Sequence, residues 1–169
     1  MILGLSVSAS ITLHVIISLV GIVSGLVVLY GMLHSQRMAG WTALFLATTL
    51  LTTITGFFLP AKMLLPSHIT GILSLIVLLP ALAGVYVFRL AGAWRWIYVG
   101  GAIVALYLNV FVAVVQAFLK LPFLTPLAPT QSEPPFLIVQ AVVLVLFVAL
   151  GALALRAFHP SPAAAHMPA

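Results

Sequence analysis

Five long runs of apolar residues follow one another along the chain, and its polar residues gather in the short segments between them. The runs cover residues 8–33, 41–60, 68–88, 97–119 and 136–155. A helix crosses a hydrocarbon core of roughly 30 Å in about 20 residues, and each run meets that length without a charged residue in its middle. No strand is evident. The pattern predicts an all-α polytopic membrane bundle of five transmembrane helices, forming a single domain over residues 1–157. A short tail, FHPSPAAAHMPA (158–169), is expected to be mobile, with His159 and His166 exposed to solvent.

Composition agrees with the pattern. Hydrophobic residues make up 64% of the 169 positions and charged residues 4%, against about 25% charged in a soluble domain. Lipid, not water, is the expected solvent. The N-terminal segment has no basic stretch and no small-residue cleavage motif, so it reads as a retained span. The net charge of +5 comes from scattered cations. With no basic patch or stripe, nucleic acid is excluded as a partner.

The cations do report topology. Five alternating crossings put Arg37, Arg89, Arg95 and Arg156 at one end of the bundle. Lys62, Lys120 and the sole acid, Glu133, fall at the other. The positive-inside rule then places the N-terminus outside and the C-terminus and its tail in the cytoplasm, in a bacterial-type inner (plasma) membrane. Trp41, Trp94, Trp96 and Tyr98 fall at the inner interface, where aromatic rings favour the headgroup region.

Helices in lipid associate through small and polar residues. The first span aligns Ser10, His14, Ser18, Gly21 and Gly25 on one stripe, with a GxxxG match, and that face is expected to pack inward. The fourth aligns Gly101, Ala105, Asn109, Ala113 and Gln116. The second carries six threonines, whose hydroxyls are expected to bond back to their own helix. Pro80 is expected to kink the third span and free the carbonyl of Ile76.

Depth singles out a candidate site. His14, His68, Gln116 and Gln140 fall near the lysine end, Asn109 lies deeper, and Lys62, Lys120, Gln131 and Glu133 border the same side. Ionisable groups in a membrane usually face the protein interior or a cavity. The segment from Leu121 to Pro135 holds five prolines and several apolar residues. It is expected to fold over the bundle as a lid or to lie at the interface as a linker. Ser132 and Ser67 are the expected caps of the fifth and third helices.

His68 then sits in the first turn of its helix, where the positive end of the dipole favours the neutral ring that ligates iron. Together with His14 from the first span it is able to hold a b-type haem as a pair of axial ligands, and a quinone is a further candidate for the pocket. The competing reading is that each histidine merely bonds across helices, which contributes about 0.6 kcal/mol on average.

Other chemistry is excluded. Without cysteine there is no thiolate site. With one carboxylate there is no two-carboxylate glycosidase, and with none inside a span there is no carboxylate-coupled transporter. Three functions remain: a haem or quinone redox module, a structural or assembly subunit of a larger membrane complex or homo-oligomer, and a small permease or binding protein for an apolar molecule.

Overall fold

The computed structural model describes residues 6–58 and 66–160, the side chains of residues 66–68 excepted. The described residues form five helices long and apolar enough to cross a membrane, and no strand. These are α1 (Val7–Leu33), α2 (Ala39–Phe58), α3 (Pro66–Tyr86), α4 (Ala93–Lys120) and α5 (Pro134–Ala157). The chain has the architecture of a small multi-pass membrane protein.

Local chemistry sets the helix ends. Ser6 caps α1, its hydroxyl accepting from the Ala9 amide at 3.1 Å. Proline opens α3 at Pro66, so Ser67 lies inside the first turn instead of capping it. Ser132 does not cap α5 either. Glu133 holds the cap position, with no side-chain bond to the helix. Pro135 removes one of the two amides that a cap could satisfy, and the Glu133 carboxylate turns back to the loop instead. The α3 helix runs unbroken through Pro80.

The central helix is α4, which packs against all four others. Small residues bring the backbones together. A β-carbon on Gly25 would stand 2.6 Å from Leu106 and 2.8 Å from Phe45, so α1 rests directly on α2 and α4. The expected inward stripe of α1 is therefore its packing face. Phe45, Leu46, Leu78, Ala105 and Leu106 are at most 1% exposed and fill the centre. Large apolar side chains such as Val23, Ile76 and Val145 are more than half exposed. In lipid these outward faces carry no solvation penalty, and internal hydrogen bonding satisfies the helical backbone.

Chain segments outside the spans pack against both ends of the bundle. At the arginine end, Phe158 is buried against Tyr98, with ring centroids 6.0 Å apart. The Arg95 guanidinium donates to the Phe158 carbonyl, and the His159 amide donates to Ser35 Oγ at 2.8 Å. Packing therefore continues past residue 157 into the start of the expected tail; residues 161–169, with His166, lie outside the described residues. At the lysine end, the segment after α4 folds through a 3-10 turn (Thr125–Leu127). Ala128 is buried against Phe118 and Phe136, whose rings meet edge to face at 5.4 Å. The described contacts of the proline-rich segment are with α4 and the start of α5, so it packs on that side of the lysine end.

Candidate functional site

The threonines of α2 organise the polar interior. Thr48 and Thr53 donate to carbonyls of their own helix, to Leu44 at 2.7 Å and to Thr49 at 2.9 Å, as the sequence suggests. Three others reach across to a neighbour. Thr42 shares a hydrogen bond with the Tyr98 hydroxyl at 3.2 Å, Thr49 accepts from Asn109 Nδ2 at 3.1 Å, and Thr55 meets His14 Nδ1 at 2.8 Å. Each bond falls at a different depth, so the α2 face is stitched to α1 and α4 from end to end. Phe45, Leu46 and Leu106 form a dry layer between the Thr42 and Thr49 levels. Below it lies a cavity, and above it the histidine.

The histidine is oriented by its partner. Thr55 Oγ1 donates its only proton to the Leu51 carbonyl at 2.7 Å, with the Thr52 carbonyl also within reach at 3.2 Å. Its lone pairs are left to accept from His14, so the network assigns the proton to Nδ1. A neutral ring then carries a bare lone pair on Nε2, which has no partner among the described residues. The ring is half-buried, and Gly56 lies beside it, where an added β-carbon would stand 3.5 Å from Cε1. One turn deeper, Thr52 Oγ1 is buried without a hydrogen-bond partner among the described residues. The arrangement offers an acceptor nitrogen on a ring of fixed tautomer.

At the opposite end a cavity of about 290 Å³ opens between α1, α2, α3 and α4. Thr42 and Tyr98 line its wall, with Arg37 and Arg89 beside them.

Compared with known proteins, the chain matches no family model, no curated protein and no solved structure.

The residues expected at the lysine end divide into two groups. Asn109 and His14 face the α2 threonines. Gln131 and Gln140 face α4 instead, donating from Nε2 to the Val115 carbonyl at 3.1 Å and the Phe111 carbonyl at 3.2 Å. Gln140 Oε1 is buried without a partner among the described residues. Gln116 and Lys120 are exposed on α4. Glu133 tethers the loop, accepting from the Thr130 amide at 3.1 Å, the Thr130 hydroxyl at 2.8 Å and the Ser132 amide at 3.1 Å. Desolvation is the largest single influence and works to raise this carboxyl, but the hydrogen-bond donors together outweigh it and hold it below the ordinary carboxylate range.

The His68 side chain and all of Lys62 lie outside the described residues. The first and third helices both pack on α2 and α4, and His14 reaches α2. Among the described residues no group of three or more metal-ligating side chains occurs.

Sequence reasoning missed the cavity. A signal for it was present: arginines in a chain whose only acid lies at the far end.

Proposed function

We propose that this protein binds a redox-active apolar molecule of the quinol type at its lysine end, through His14. The supporting observation is the hydrogen bond from His14 Nδ1 to Thr55, which leaves Nε2 as a bare acceptor in a half-buried position. A hydroxyl donor is what such a nitrogen accepts, so the reduced quinol suits it better than the quinone carbonyl, which needs a donor. The same nitrogen is the one a haem iron ligates. A ligating histidine commonly donates its other N–H to an orienting partner, here Thr55. Haem b, with His68 as second axial ligand, is thus the second reading. In this proposal the lysine end faces outward from a bacterial-type inner membrane, and the arginine end faces the cytoplasm.

The experiment combines a spectrum with a titration on the detergent-purified protein. A short-chain benzoquinol is expected to stabilise it against thermal unfolding, and the dimethyl ether of that quinol is not. His14→Ala is expected to abolish the effect and Thr55→Val to weaken it. Equal stabilisation by quinol and ether, or an undiminished response in His14→Ala, overturns the quinol reading. A Soret band that disappears in both His14→Ala and His68→Ala moves the account to haem.

A further inference from the structure

The cavity at the arginine end is independent of His14. It combines an apolar wall that includes Val28, Met32 and Val85 with polar groups that include Arg37, Arg89, Thr42 and Tyr98. We propose that it is a binding site for an oxyanion head group, and that the phosphate of an anionic membrane lipid occupies it.

Charge is the first argument. The chain has one acidic side chain, Glu133, and it is engaged in the loop at the opposite end. No side-chain carboxylate is available to neutralise Arg37 or Arg89, so an anion entering this mouth meets no competing acidic side chain.

The hydroxyls supply the second argument. Thr42 and Tyr98 are 7% and 3% exposed and hydrogen-bonded to each other. Two hydroxyls carry two protons, and their mutual bond uses one. The second proton has no other acceptor among the described residues. An oxyanion in the cavity would accept it, and a buried donor gains most from such a partner.

Backbone geometry is the third. Arg89 and Leu90 are consecutive non-glycine residues with φ of 50° and 64°, and both line the cavity. L-residues rarely adopt this region, and strained backbone persists where the surroundings hold it. Here the Leu90 amide donates to the Gly84 carbonyl at 2.8 Å, and Phe88 stacks on Trp94 with centroids 3.8 Å apart. The loop is held in a conformation that places Arg89 at the opening.

Location favours the lipid as the source. The cavity lies at the end of the spans, at the level of the exposed rings of Trp41 and Trp96, where head groups reside. Basic pockets between transmembrane helices take anionic head groups by this combination of charge and donors.

The test is native mass spectrometry of the full-length protein in neutral detergent. It is titrated with phosphatidylglycerol, phosphatidylcholine and inorganic phosphate in separate arms. Phosphatidylglycerol is expected to bind roughly tenfold more tightly than phosphatidylcholine. R37Q and R89Q are each expected to weaken it about fivefold, and Y98F to weaken it as well. R156Q serves as control, since Arg156 lies at the same end but does not line the cavity. Displacement of the lipid by millimolar phosphate would keep the oxyanion site but make its source a soluble anion. Equal binding of the two lipids with no effect of phosphate overturns the proposal. So does a loss in R156Q equal to that in R37Q and R89Q, because general interfacial charge would then explain the binding.

Discussion

Gly101 of α4 lies so close to Val77 of α3 that a β-carbon on the glycine would stand 2.6 Å from the Val77 carbonyl oxygen. Backbone cannot swing aside as a side-chain tip can, so this contact sets the distance between two helices. Gly101→Ala is expected to destabilise the bundle by about 1–3 kcal/mol, the usual range for overpacking. Gly100→Ala is the matched control. It meets nothing within 4 Å and is expected to leave the unfolding temperature unchanged or raise it. Thermal unfolding of both variants in one detergent checks this, and similar losses would sink the assignment.

Asn109 and Thr49 bond across α4 and α2 at the level just above the dry layer. Hydrogen bonds between membrane helices are modest because the unfolded chain finds partners too. A double-mutant cycle with Thr49→Val and Asn109→Ala is expected to give a coupling of about 0.6 kcal/mol, and no more than about 1.7 kcal/mol. A coupling near zero would mean that the bond contributes nothing.

The tautomer of His14 is measurable directly. In protein labelled with ¹⁵N at histidine, Nδ1 is expected to report a bound proton and Nε2 a bare lone pair. Thr55→Val removes the acceptor and is expected to mix the two tautomers. A proton found on Nε2 in the unsubstituted protein would remove the acceptor on which the quinol reading depends.

Acid is expected to loosen the loop at the lysine end. The Glu133 carboxyl is held below the ordinary carboxylate range, so the folded loop favours the ionised form. Its contribution is complete above the unfolded carboxylate pKa and is lost as pH falls through the lower, folded value. Amide-exchange protection factors at Thr130 and Ser132 are expected to be higher at neutral pH and to fall as the pH drops below the ordinary carboxylate range. Glu133→Gln is expected to lower them at neutral pH and erase the acid step. Protection unchanged in Glu133→Gln would show that the tether does not hold the loop.

The five spans were legible in the sequence because lipid imposes a rule that acts on each segment alone. A helix in hydrocarbon must satisfy its own backbone and present apolar side chains over a fixed length. Each expected run therefore agrees with its helix to within a few residues at either end. The inward face of α1 was legible for a similar reason, since Gly21 and Gly25 mark a close approach whatever the partner is. Partners themselves are relations between segments far apart in sequence, and periodicity does not carry them. Six threonines on α2 looked alike, yet only the packing of α1 and α4 decided that Thr55 turns to His14 and Thr49 to Asn109. Depth alone grouped Gln131 and Gln140 with His14, but the rotation of α5 turns Gln140 to α4 and the path of the loop before it turns Gln131 there too. The cavity at the arginine end arose from the same cause. Arg37, Thr42, Arg89 and Tyr98 come from separate segments and meet only where α1 to α4 converge. The sequence by itself determined the spans, because membrane solvation is local; the tertiary structure decided the sites, because a site depends on which faces meet.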